Sequence, residues 1–171
     1  MTLTIAALNE LDRDAFVAAI GHVFEHSPWI AAAAWERRPF ASLSDLHREL
    51  CAVVEASGEE RQLALIRAHP DLAGRMALAG ALTPESAREQ EAAGLTALTA
   101  AELERFTRLN EAYKARFGFP FVICARENKR DAILAAFPVR LTNSRDEEIR
   151  TALEEIAKIA WLRLCDTVVP E

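Results

Sequence analysis

Apolar residues recur along this chain at the three-and-four spacing of helices rather than the alternation of strands. Phe16, Ile20, Val23 and Phe24 share such a face behind Asn9 and Asp12, and Leu46, Leu50, Val53 and Val54 share another behind Ser42 and Ser44. Between them, Ser27-Pro28-Trp29 offers an N-cap followed by proline at the first helical position, where a missing N–H costs nothing, so a short helix is predicted there. Leu63 and Ile66 mark a helix over 59–68 that has to stop at His69, because the residue ahead of a proline is pushed out of the helical region. Thr83, Pro84 and Glu85 open a helix that Gly94 closes. Thr99-Ala100-Ala101-Glu102 is a capping box, after which Leu103, Phe106, Leu109 and Tyr113 repeat on one face until Gly118 and Pro120. A last long helix is predicted from Arg145 to Val168. Phe121 to Cys124 is β-prone, but one short segment makes no sheet. The expected fold class is all-α: one domain over residues 1–171, a bundle of about eight helices with a short extended connector after Pro120.

Composition narrows the classes of function. The 171 residues suffice for one sizeable core, and 51% hydrophobic beside 27% charged is ordinary for a folded domain. No apolar run is long enough to span a membrane, and Met1-Thr2-Leu3-Thr4-Ile5 lacks the basic head and apolar stretch of a secretory signal. Val169-Pro170-Glu171 is not a peroxisomal address, so a cytoplasmic setting is expected. A net charge of −6 argues against nucleic acid as a partner. Cys51, Cys124 and Cys165 sit among apolar neighbours and read as reduced core thiols.

Four histidines are candidates for chemistry. His22 and His26 lie four apart on what reads as one helix, but nothing completes a tetrahedral metal set, and no metal is expected. His47, beside Asp45 and Arg48, reads as solvated. His69 differs: it ends a helix immediately before a proline, with Asp71 close by and Gly74 and Gly80 downstream. Such a junction fixes the backbone while the imidazole projects, and it suits either a proton-transfer catalyst or a structural corner. Ser86, Glu89 and Gln90 share one face of their helix, either as a polar site or as a solvated surface.

In the last helix, Ile149, Leu153, Ile156 and Ala160 form an apolar stripe opposite Glu147, Glu154, Glu155 and Lys158. Arg163 continues that stripe. A guanidinium there needs an anionic ligand, an internal counter-charge such as Asp71 or Glu89, or an exit to solvent near the helix end. Phe117-Gly118-Phe119-Pro120-Phe121 is either a ligand-approaching loop or a buried aromatic turn.

The order and spacing of several segments resemble the 2-oxo-4-hydroxy-4-carboxy-5-ureidoimidazoline (OHCU) decarboxylases, which form allantoin in urate breakdown. These segments are Ser27-Pro28-Trp29, Trp35, Arg38-Pro39-Phe40, His69 to Arg75, Ser86, Glu89-Gln90 and Ala93-Gly94-Leu95. The likeness continues through Leu109-Asn110, Tyr113, Phe117 to Ala125, Arg140-Leu141 and Arg163-Leu164. The resemblance implies a helical fold, a homodimer, a small ureidoimidazoline substrate and no cofactor. It implies that His69 is the catalytic histidine with Pro70 beside it, and that Glu89 is a second catalytic residue. It also implies that Ser86, Ala87, Arg88, Glu89 and Gln90 line the substrate with Phe121, Val122, Ile123, Cys124 and Ala125, and that Arg163 contacts it. Rival readings are a helical module that binds a ureide or purine-like ring without chemistry, an enzyme for a related ureido acid, and an interaction protein in which Arg163 and Glu89 are paired internally.

Overall fold

The computed structural model describes residues 3–74 and 80–170. Met1, Thr2 and Glu171, read above as parts of the chain ends, lie outside the described residues, as does Arg75, the last residue of one matched segment. Among the described residues there are nine α-helices and no strand, so the chain is all-α. They are α1 (Ile5–Glu10), α2 (Arg13–Ile20), α3 (Trp29–Trp35), α4 (Leu43–Ala56), α5 (Glu59–Arg67), α6 (Pro84–Ala92), α7 (Ala100–Phe117), α8 (Arg130–Arg140) and α9 (Arg145–Thr167), with 3-10 turns at Gly21–Val23 and Ala125–Glu127.

Side-chain caps set most of the starts. Thr4, Asp12, Ser42, Thr83 and Thr99 each accept a backbone N–H from the first turn that follows. At Thr99 the reciprocal bond from Glu102 completes the capping box. Ser144 and Glu147 make a second one at α9, the serine hydroxyl accepting from Glu147 N at 3.1 Å and the glutamate from Ser144 N at 3.3 Å. Ser27 departs from expectation: its hydroxyl donates to the Glu25 carbonyl at 2.8 Å and caps nothing. Two helices have no counterpart in the reading above. α1 is only six residues long, too short for its apolar spacing to show behind the Thr4 cap, and α8 carries Pro138 inside it and no side-chain cap at Lys129.

Contacts divide the chain into two compact units. The first comprises residues up to Ala68 together with those from Ala157 onward. Its core includes Leu8, Phe16, Ile20, Ile30, Leu46, Leu50 and Leu65. Asn9 clips the turn after α3 by bonding both the N–H and the C=O of Phe40, at 2.8 and 3.0 Å. All three tryptophans, Trp29, Trp35 and Trp161, belong to this unit. His47 is not solvated: its Nε2 lies 2.8 Å from the Ala157 carbonyl and its ring meets the edge of Trp161. His22 and His26 do not share a helix, since His22 is in the 3-10 turn and His26 has a left-handed φ of 47°.

The second unit, His69–Ile156, holds the single tyrosine. Tyr113 sits at the centre of an aromatic cluster, 4.6 Å from Phe117, 5.3 Å from Phe121 and 6.4 Å from Phe137 between ring centroids. Gly118, at φ 81°, ends α7 in the left-handed region and turns the chain back so that Phe117, Phe119 and Phe121 are all buried. The Phe117–Phe121 run is thus a buried aromatic turn. From Pro120 to Cys124 the chain belongs to no regular element, and this stretch is the expected connector.

Candidate active site

His69 is buried at the point where α5 has ended, and the five residues after it form a tightly fastened loop. Gln90, on the buried face of α6, takes both ends of that loop with one amide: its Oε1 accepts from Ala73 N at 3.0 Å and its Nε2 donates to the Asp71 carbonyl at 3.2 Å. Asn110 of α7 donates to the Leu72 carbonyl at 2.8 Å, and Lys114 one turn later meets the Asp71 carboxylate at 2.6 Å. Ala73 has a left-handed φ of 53°, which costs a residue with a side chain roughly 1–2 kcal/mol and persists only because the surroundings hold it. Gly74 is required by space, since a Cβ there would lie 2.7 Å from the Asp71 Cβ. His69 and Pro70 therefore leave α5 on a backbone whose next turn is over-determined.

The α6 face separates as its spacing predicts. Ser86 and Gln90 are buried and Glu89 is half-buried, whereas Ala87 and Arg88 are exposed. The far end of α6 is fastened to the chain that follows the connector. Arg130 N donates to the Ala93 carbonyl at 3.1 Å, Lys129 Nζ reaches the Ala92 carbonyl at 2.6 Å, and α6 packs against the turn Ala125–Glu127. Phe121, Val122, Ile123, Cys124 and Ala125 are all buried. The His69 loop and the chain that follows the connector are thereby both fastened, within the second unit, to α6, which carries the Ser86–Gln90 face.

The connector is held by side chains from other elements. Arg140 Nη1 donates to the Val122 carbonyl at 2.6 Å, Glu155 accepts from Cys124 N at 3.3 Å, and Asn128 donates to the Cys124 carbonyl at 3.0 Å. Glu155 was expected on the solvated side of α9 but is buried, because the connector's N–H needs an acceptor there. Arg140 is itself held by Glu148, Nε to Oε1 at 2.8 Å, and Glu148 also accepts from Tyr113 at 2.5 Å and from Asn143 at 2.9 Å. Burial, then the bond to Glu148, pushes the Tyr113 hydroxyl pKa well above its ordinary value.

Arg163 belongs to the first unit and is only 3% exposed. Its counter-charge is Glu25, at 3.0 Å, and not Asp71, which pairs with Lys114. Arg163 also donates to the His22 carbonyl at 3.3 Å. Nothing in the local pattern around Glu25 marks it as that partner. Asn110 did carry a signal: it is an amide on the apolar face of α7, four residues after Phe106 and three before Tyr113.

Two of the three thiols, Cys51 and Cys124, are unsuited to attack. Burial, then the nearby Glu55, pushes Cys51 up to about 11, and burial raises Cys124. Cys165 is exposed on α9, against the expectation that all three were core thiols. Among the described residues no group of three or more His, Cys, Asp or Glu is placed to hold a metal ion.

A sequence model of OHCU decarboxylase matches residues 9–165. The chain belongs to the OHCU decarboxylase family. It is 45% identical over 164 residues to the 2-oxo-4-hydroxy-4-carboxy-5-ureidoimidazoline decarboxylase of Haloferax volcanii, covering 96% of this chain and 95% of that one. A protein of the same name from Amia calva is 46% identical over 161 residues, covering 94% and 92%. Among solved structures, an (S)-allantoin synthase superposes with a TM-score of 0.78 at 30% identity over 97% of this chain, which spans about half, 54%, of that longer one. The OHCU decarboxylase match runs through both compact units.

The Gln90 clamp yields a first prediction. Gln90→Met keeps the volume but strands the buried Ala73 N–H and frees the half-buried Asp71 carbonyl, so urea unfolding should show a loss of about 1–3 kcal/mol, with faster amide exchange at Ala73. For the thiols, a disulfide-exchange reagent at about pH 8 should modify Cys165 well before Cys51 and Cys124, as read by mass spectrometry.

Proposed function

We propose that the chain decarboxylates 2-oxo-4-hydroxy-4-carboxy-5-ureidoimidazoline to (S)-allantoin and carbon dioxide, with His69 as general acid–base. The observation that carries this reading is that α6, the helix bearing Ser86, Glu89 and Gln90, is fastened both to the His69 loop and to the chain that follows the connector, in a chain whose family match spans 9–165.

The substrate carries its carboxylate on C4, next to a C5=N imine. As the C4–carboxylate bond breaks, its electron pair forms a C4=C5 bond and the imine nitrogen takes up the charge, so the substrate serves as its own electron sink. No pyridoxal or thiamine group is needed for such a step. The C4 hydroxyl then becomes a carbonyl and C5 gains a proton on one face, which calls for a positioned acid. His69 is assigned that proton. Glu89, half-buried on α6, is assigned the hydroxyl proton or the ureido N–H groups. Ser86 and the connector are assigned the substrate's amide-like edges. The Val122 carbonyl and the Cys124 N–H are engaged by Arg140 and Glu155, so the peptide groups assigned to the substrate are those of Ile123 between them.

Arg163 is assigned the substrate's negative charge, on the family resemblance. Its pairing with Glu25 favours a second role as a buried structural cation. The same reading takes the chain as one catalytic domain, a cytoplasmic homodimer without cofactor; among the described residues no helix is long and apolar enough to cross a membrane.

Because the substrate is short-lived, it is best generated in situ from urate by the two preceding activities. Circular dichroism should then show one allantoin enantiomer forming faster than in the blank, and an unchanged rate would refute the assignment. His69→Asn should stay folded and lose at least about 100-fold in turnover. Arg163→Lys keeps a charge beside Glu25 but loses the planar fork, so KM should rise about tenfold with little change in Tm. A fall in Tm with native KM would instead assign Arg163 to structure alone.

A further inference from the structure

We infer that Arg140 is a positioning residue for the decarboxylase site, its guanidinium fixing the connector 121–125 in the arrangement that receives substrate. This rests on the reading of that connector as a substrate-lining strip.

Residues 121–124 lie in no helix or strand and Ala125 only opens the 3-10 turn, so no regular ladder holds the strip. Their geometry has to be imposed from outside. Arg140, buried in the last turn of α8, supplies two of the restraints. Its Nη1 holds the Val122 carbonyl at 2.6 Å, and its Cζ lies 4.1 Å from the centre of the Phe121 ring. Phe121 is fixed on its own account by stacking on Phe137, with centroids 3.8 Å apart and planes 19° from parallel. Glu155 and Asn128 hold Cys124. Ile123 therefore sits between two anchored residues, and slippage at Val122 would rotate the peptide groups assigned to the substrate.

A purely structural cation would have a simpler task. Glu148 needs a positive partner because it is fully buried, and Tyr113 and Asn143 already donate to it. A lysine ammonium can meet that charge. What the arginine adds is a flat face and a second donor at a fixed angle, and both fall on the connector, at Phe121 and Val122. Arg140 is thus suited to act on substrate affinity through the connector, without touching substrate.

The test is Arg140→Lys, which keeps the charge beside Glu148 and removes the fork. KM should rise about tenfold with kcat within about threefold, and hydrogen exchange should quicken in peptides covering 119–125 while α7 keeps its protection. Phe121→Leu, assayed in parallel, removes the face beneath the guanidinium and should raise KM with Tm retained, so the inference stays testable should the lysine variant fold poorly. Native KM in a folded Arg140→Lys protein, or in Phe121→Leu where the lysine variant does not fold, overturns it. Ile123→Ala separates the role of Arg140 from that of the strip. If that variant also has native KM, the strip reading itself has failed; if its KM rises while Arg140→Lys stays native, the positioning role alone is lost.

Discussion

A fully buried carboxylate survives only where donors surround it, and the second unit is organised around one. Glu148 receives Tyr113 from α7, Arg140 from α8 and Asn143 from the turn before α9, so a single side chain ties three helices together. Removing one partner of such a pair commonly costs about 3–5 kcal/mol, because the other charge stays buried without compensation. The aromatic cluster gathers around the same point. Tyr113 contributes its ring to Phe117, Phe121 and Phe137 while its hydroxyl serves Glu148, so packing and polar order share one residue. The connector inherits its position from this centre through Arg140.

The site is layered in the same manner. The side chains assigned to substrate, His69, Ser86, Glu89 and Arg163, are few, and the side chains that hold the backbone around the first three are more numerous. Gln90 was read as substrate-lining, yet its amide oxygen and nitrogen both bond the loop after His69. Its chemistry is that of a clamp, since glutamate lacks the donor and leucine lacks both groups. Asn110 and Lys114 extend the clamp onto α7. A general acid that must deliver its proton to one face of a planar intermediate needs this kind of support, because an imidazole on a loose loop would select no face.

Much of this was legible in the residues, and what was not has a common cause. Helix starts announce themselves locally: Asp12, Ser42, Thr83 and Thr99 cap where the pattern placed them, and the proline after His69 stops α5. The all-α class followed from helical spacing, whereas the breakers in Phe117–Phe121 marked a turn without deciding between a buried aromatic corner and a loop that approaches a ligand. Partners distant in sequence did not announce themselves. Glu25 lies 138 positions from Arg163, and Glu155 looked solvated until the connector's N–H was placed beside it. His47, beside charged neighbours, read as exposed because the carbonyl it bonds belongs to a helix more than a hundred residues away. α8 was illegible for a different reason: Pro138 reads as a helix breaker, yet the structure carries it inside the helix.

The division of aromatic residues between the units makes the molecule spectroscopically two-coloured. Trp29, Trp35 and Trp161 all lie in the first unit, and the only tyrosine, Tyr113, lies at the centre of the second. Indole emission excited near the red edge therefore comes from the part that holds the Arg163–Glu25 pair, since the second unit contains no tryptophan. Phenol absorption carries the complementary signal, from a hydroxyl bonded to Glu148. Each half of the chain thus carries its own built-in chromophore, and melting followed in both channels distinguishes a concerted loss of structure from one in which the halves part company.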